Sequence, residues 1–196
     1  MSLIAPGALD NRVRVGKRVY RMRPSMYHVL GAQAALDDEE LQPGDRERLA
    51  VWHLYAFPRP RDHRAAIRAA LDALTVQSPY RIPEDAPRTL DLQQDEALVC
   101  AAFRQLYGVD LTREARRMDW RVFQALLSGV TDDTRLGGIM SIRAQKLPRR
   151  TAHNGEQIRE LQRLKAIYAL RRTGAGGDSF EDGLKRMVEV LASMAE

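Results

Sequence analysis

With 196 residues, one cysteine and a formal net charge of +5, the chain is long enough to bury a core without covalent staples. Cys100 has no second cysteine to pair with, which excludes an internal disulfide, and it lies in the apolar run 98–103, where it reads as a small buried hydrophobe. No stretch approaches the roughly 20 apolar residues of a membrane span, and no basic start followed by an apolar run and a cleavage site marks a leader, so a cytoplasmic protein without membrane contact is expected.

From residue 12 to residue 23, RVRVGKRVYRMR alternates apolar and basic side chains around Gly16-Lys17. The pattern predicts a short β-hairpin with one face packed and one wet, which must lean on the helices that follow because two strands are marginal alone. Pro24 and Ser25 open a helix to about Leu36 with Tyr27, Leu30 and Ala34 or Ala35 inward, ended by the acidic run 37–40. Pro43-Gly44-Asp45 reads as a turn and cap before a helix to about Ala56 that gathers Leu49, Trp52, His53 and Tyr55. A further helix over 62–76 turns Ile67, Leu71 and Leu74 inward. Residues 77–92 contain Pro79, Pro83 and Pro87 and no helical period, which makes them the best connector in the chain. Asp91 or Asp95 then starts a helix that carries Leu98, Val99, Ala102, Phe103, Leu106 and Tyr107 and stops at Gly108.

The stretch 118–143, MDWRVFQALLSGVTDDTRLGGIMSIR, is the best punctuated. Trp120, Phe123, Leu126, Leu127 and Val130 recur at three- and four-residue spacing, so one face of this helix must be covered. Asp119 can cap it, with Met118 stapled onto Phe123. Gly129 supplies permissive backbone at its end, and Thr131 or Asp132 can cap the next helix, whose apolar positions are Leu136, Ile139, Met140 and Ile142. Gly137 and Gly138 stand inside that second helix at a cost of about 0.8 to 1 kcal/mol each relative to alanine, which points to a close backbone crossing. After Pro148, Asn154 caps a helix to Arg172 with Ile158, Leu161, Leu164, Ile167 or Lys165, and Tyr168 along one side. Residues 174–177 form a glycine-rich link. A last amphipathic helix follows, with Phe180, Leu184, Met187, Val188, Leu191 and Met194. Residues 143–172 hold nine basic and two acidic side chains, a window of +7 that leaves −2 for the remainder of the chain. The expected fold is therefore mainly α, a compact helical bundle-like domain with a short N-terminal β-hairpin. Its organisation is an N-terminal hairpin and helical lobe over 1–90, a central helical block over 91–148 and basic amphipathic helices over 149–196.

The run DEALVCAAFRQLYGVDL at 95–111, followed by MDW, by Phe123 and the Leu126-Leu127 pair, and then by SGV, DDTRL and IMSIR, resembles the tail-assembly chaperone family of long-tailed bacteriophages (siphophages). The resemblance spans roughly residues 13–146 and is strong from Asp95 onward; its motif positions here are Trp120, Phe123, Leu127, Gly129, Asp133, Thr134 and Arg143. It implies a small, mostly helical, non-catalytic protein of the host cell cytoplasm that holds the tape-measure protein soluble while the tail is built. No cofactor is expected, the partner is the tape-measure protein, and a homo-oligomer is compatible with it. A tape-measure protein is a long helix whose exposed apolar stripes aggregate unless covered, so its chaperone needs weak, repeated apolar grooves. The residues that offer them are Ile158, Leu161, Leu164, Tyr168, Leu184, Met187 and Leu191, in helices that otherwise fold back as core. A longer frameshifted product occurs in that family.

Other chemistry finds little support in the residues. His28, His53, His63 and His153 include no pair at metal-ligand spacing. The glycines of residues 173–179 lack the lysine of a phosphate loop and the strand before it. The paired carboxylates at 37–38, 39–40 and 132–133 lie at helix ends, where capping accounts for them. His53, beside Trp52, reads as a hydrogen-bonded core histidine. Two alternatives to the chaperone stay open: a structural tail or head-tail connector component, and a helix-turn-helix DNA-binding protein suggested by Ala125, Gly129 and the basic segment behind them. Against the DNA reader, Arg135 stands where that motif wants an aliphatic lock, and Asp132-Asp133 would face the phosphates.

Overall fold

A computed structural model describes residues 9–75, 87–151 and 153–171. They form a mainly helical protein with one antiparallel hairpin at the N-terminal end: β1 (Arg12–Val15), β2 (Arg18–Arg21), α1 (Met26–Asp37), α2 (Pro43–Leu54), α3 (His63–Leu74), α4 (Glu96–Tyr107), α5 (Leu111–Glu114), α6 (Trp120–Ser128), α7 (Arg135–Ala144) and α8 (Gly155–Ile167). The chain divides into two compact units that interleave along the sequence. One contains residues 9–75 and 113–125, the other residues 87–112, 126–151 and 153–171. The connector around Pro79 and Pro83 and the final predicted helix, with Leu184, Met187 and Leu191, lie outside the described residues.

In the first unit the hairpin pairs Arg12 with Arg21 and Val15 with Arg18, and Gly16 takes a φ of +59° in the two-residue turn between them. That left-handed conformation is available to glycine without a Cβ clash. Val13 and Val15 are buried while Arg12 and Arg14 are exposed, so the alternation sets the inward face of β1; in β2 Val19, paired with Arg14, is exposed instead. The hairpin packs on α3, which starts where Asp62 accepts a bond from the Ala65 amide and buries Ala66, Ile67, Ala70, Leu71 and Leu74, the inward set foreseen at residues 67, 71 and 74. Tyr55, fully buried at the end of α2, donates its hydroxyl to the Ala66 carbonyl at 2.8 Å. The main chain of Met22 and Arg23 pairs with that of Leu54 and Tyr55, so the strand hands over directly to the helix pair.

The expected face of α1 holds at Ala35 and fails at Tyr27, and the group expected on α2 is split, with Tyr55 buried and Leu49 and Trp52 exposed. In α1 the buried residues are Val29, Ala32 and Ala35, while Tyr27 is 40% exposed; in α2 they are Ala50, Val51 and Leu54, while Leu49 and Trp52 look outward. The α1–α2 contact uses small side chains, which lets the helices approach until a Cβ on Gly31 would stand 2.5 Å from the His53 ring. Large aromatics are thereby displaced to the rim. Proline 43 also sits inside the first turn of α2 instead of ahead of it, where its missing N–H costs nothing.

The segment 113–125 closes this unit from far along the chain. Its backbone is stitched to the β2–α1 junction by Met26 N–H to Met118 O (2.8 Å), Tyr27 N–H to Ala115 O (3.0 Å) and Trp120 N–H to Pro24 O (2.7 Å). Trp120 and Phe123 are buried as expected, with ring centroids 5.1 Å apart. Asp119 caps α6 by accepting from the Arg121 amide, and Arg121 returns bonds to both Asp119 oxygens and reaches Asn11.

In the second unit α4 begins after Asp95 and ends at Gly108, whose φ of +66° lets its amide reach the Arg104 and Phe103 carbonyls. Thr134 caps α7, its hydroxyl accepting from the Gly137 amide at 3.0 Å, so the cap lies beyond both residues the sequence favoured. The close crossing inferred from the paired glycines is real at one of them. A Cβ on Gly137 would stand 2.0 Å from the Thr131 carbonyl oxygen, whereas one on Gly138 would be 3.9 Å from its nearest neighbour. Gly129 is not left-handed; its bare Cα instead admits the Tyr107 hydroxyl, which donates to the Leu126 carbonyl at 2.7 Å.

Candidate partner interface

A buried ion pair ties together several described segments of the second unit. Arg143 on α7 donates from Nη1 to Asp95 Oδ2 at 2.6 Å and from Nη2 to Oδ1 at 3.0 Å, a two-pronged match of guanidinium to carboxylate. Its remaining donors reach the Thr89 carbonyl (2.8 Å) and the Tyr168 carbonyl (2.6 Å), so one side chain holds the start of α4, the segment before it and the end of α8. Asp95 and Arg143 are only 2% and 9% exposed. Three further polar bonds fix α8 in place. Lys165 Nζ donates to the Arg143 carbonyl at 2.7 Å, Gln94 donates to the Ala169 carbonyl, and the Arg171 amide donates to Gln94. The described residues that follow α7, up to Arg171, are thus attached by directed bonds to main-chain and side-chain oxygens.

Of the apolar positions proposed for partner binding, Ile158, Leu161 and Leu164 lie on α8 and Tyr168 directly follows it, and all are half-buried. No residue of α8 is fully buried. Lys165 takes the inward place and Ile167 is 60% exposed. Of the motif positions, Trp120, Phe123, Thr134 and Arg143 are buried, Leu127 is half-buried, and Gly129 and Asp133 are exposed. The motif is therefore chiefly a set of core, cap and anchoring residues.

A second constellation, which the sequence reading did not assemble, sits at one end of the α1–α2 pair in the first unit. Arg23 and Arg59 stack on Trp52 with guanidinium carbons 5.4 and 5.6 Å from its ring centroid, and Arg116 lies 4.0 Å from that of Tyr27. His28 and His53 face each other with centroids 6.1 Å apart, and both rings touch Tyr27. Among the described residues, Arg23 Nε and Nη2, Arg59 Nε and the Nδ1 atoms of both histidines are buried without a hydrogen-bond partner. The expectation of a hydrogen-bonded core His53 is thus not met at Nδ1. No carboxylate among the described residues forms an ion pair with Arg23, Arg59 or Arg116. Residues 23, 52, 59 and 116 are too far apart in sequence for any spacing rule to join them; the signal, seen afterwards, is arginine next to outward-facing aromatics.

Burial, reinforced by Arg23, His53 and Arg116, lowers the pKa of His28 from 6.5 to about 4, and burial with Arg23 lowers that of His53. A histidine whose folded pKa is depressed binds fewer protons when folded than when unfolded, so stability rises with pH between the two values. The contribution is complete above about 6.5 and is lost as pH falls toward about 4. The melting midpoint is expected to drop over that range, and to drop less in His28→Gln; thermal melts of both proteins at matched ionic strength check it. A parallel fall in the two would contradict the assignment.

No group of three or more His, Cys, Asp or Glu positioned to hold a metal occurs among the described residues, and no described helix is long and apolar enough to cross a membrane. The family model described as Bacteriophage Gp15 protein matches residues 9–170, which covers the described parts of both units to the end of α8. No curated protein and no solved structure matches the chain.

Proposed function

We propose, from the premise that this chain belongs to the bacteriophage Gp15 protein family, that it is a tail-assembly chaperone that binds the tape-measure protein during tail morphogenesis. The observation that carries the reading is the match to a bacteriophage family over residues 9–170, joined to the resemblance of residues 95–143 to tail-assembly chaperones. The physical support lies in α8. This helix presents Ile158, Leu161 and Leu164 half-covered, and its docking rests on polar bonds through Arg143, Lys165 and Gln94. A partner helix competing for that face would need to displace little fully buried apolar surface, which suits the weak, repeated capture of a long amphipathic helix. A DNA-reading role fits less well, because Asp132, Asp133 and Arg135 are all exposed around the start of α7, where phosphates and an aliphatic lock would belong.

A phage with an early stop codon in this gene tests the reading against a structural tail or connector role. The chaperone reading predicts tape-measure protein in the insoluble fraction, capsids without tails, and the product itself missing from purified wild-type virions by mass spectrometry. A product present in virions at stoichiometric amounts would assign it to the structure instead.

A further inference from the structure

We propose that the Arg23, Arg59, Arg116, Trp52 and Tyr27 constellation is a docking site for an acidic protein segment, its carboxylates received by the guanidiniums and its apolar residues laid on the exposed aromatic faces. The proposal does not depend on the tape-measure reading, since it uses neither α8 nor the motif residues.

Among the described residues the charge at this site has no counterpart. Three arginines from three separate parts of the chain converge on two aromatic rings, and no described carboxylate forms an ion pair with any of them. Like charges held together without a counterion raise the free energy of the isolated protein; burial first, and Arg59 after it, lower the pKa of Arg23. An incoming carboxylate relieves that repulsion and supplies acceptors to a partly dehydrated set of donors, where a charge-assisted bond is strongest. The rings beside it remain open. Trp52 is 47% and Tyr27 40% exposed, and Phe57, two residues before Arg59, is 86% exposed. Tryptophan, tyrosine and arginine grouped in this way are the residue types that dominate protein–protein binding energy.

The arrangement favours a protein segment over nucleic acid. A phosphate backbone needs a continuing track of cations, whereas the far end of the same helix pair carries Asp37, Asp38, Glu39 and Glu40, with Asp45 and Glu47 in the first turns of α2. A strand leaving the arginines along α1 and α2 would run into those carboxylates. A short acidic segment need not extend that far.

The test uses the full chain and three labelled probes: a peptide of alternating glutamate and leucine with a central tryptophan, the same peptide with lysine in place of glutamate, and oligothymidylate. Fluorescence anisotropy is expected to show binding of the glutamate peptide alone, weakening with salt. Trp52→Ala and Arg59→Gln should each reduce its affinity by about tenfold or more, with melting midpoints that stay within a few degrees of the parent because Trp52 is exposed, Arg59 is only half-buried and the Arg59 Nε has no hydrogen-bond partner to lose. Binding that survives both substitutions, failure of the parent to bind the glutamate peptide, or tighter binding of oligothymidylate that the same substitutions abolish would each overturn the proposal.

Discussion

Replacing Arg143 by methionine is expected to destabilise the second unit by about 3 to 5 kcal/mol, the range seen when one member of a buried ion pair is removed. The volume is nearly kept, so the loss is electrostatic. Asp95 would stay buried with its two charge-assisted bonds gone, and the Thr89 and Tyr168 carbonyls would each lose their donor. Chemical denaturation, read by a probe in α8 as well as by circular dichroism, measures it. The double replacement Arg143→Met with Asp95→Leu removes both charges and should recover part of the loss, since a buried pair replaced whole by apolar groups is often near neutral. A single replacement that costs less than about 1 kcal/mol, as exposed pairs do, would show that the guanidinium is not the tie described.

The second large effect belongs to Trp120. This side chain is 1% exposed, stacks obliquely on Phe123, and sits on a segment whose main chain is hydrogen-bonded to Pro24. Truncation to alanine leaves a cavity that the stitched backbone cannot close, so about 3 to 5 kcal/mol is expected from a total of roughly 5 to 15. Much of the population should then be unfolded near physiological temperature, as a thermal melt would register. If Trp120→Ala melts within a few degrees of the parent while partner binding disappears, the residue is a contact and not a core anchor.

Local patterns in the sequence located most elements but not their assembly. The hairpin, α3 with its inward Ile67, Leu71 and Leu74, and the stop of α4 at Gly108 were legible because each is specified by neighbours in sequence: alternation, a helical period, a left-handed glycine. The cap of α7 was misplaced because the run Thr131 to Thr134 offers four acceptable caps, and tertiary fit of Gly137 against Thr131 decides for the last. The one-turn helix α5 is too short to show a period. The return of residues 113–125 to the β2–α1 junction was hidden for a different reason: main-chain hydrogen bonds leave no trace in residue identity. Arg143 was picked out as a motif position, yet its partner lies 48 residues away, and single-sequence reading cannot pair two charges at that distance. The expected inward face of α1 holds at Ala35 but not at Tyr27, and the group expected on α2 is split between buried Tyr55 and exposed Leu49 and Trp52, because the helix contact selects alanine, valine and glycine. The same selection concealed the arginine–aromatic constellation, whose rings matter because they face outward.

The central claim, that this chain keeps a tape-measure protein soluble, is tested most directly by co-expressing the two and measuring how the tape-measure protein divides between soluble and pelleted fractions. With the full chain present the tape-measure protein is expected in the soluble fraction and to co-purify with it. A folded variant with Ile158, Leu161 and Leu164 changed to serine should leave the tape-measure protein in the pellet. Tape-measure protein that pellets equally with and without the full chain, while both are well expressed, would contradict the claim.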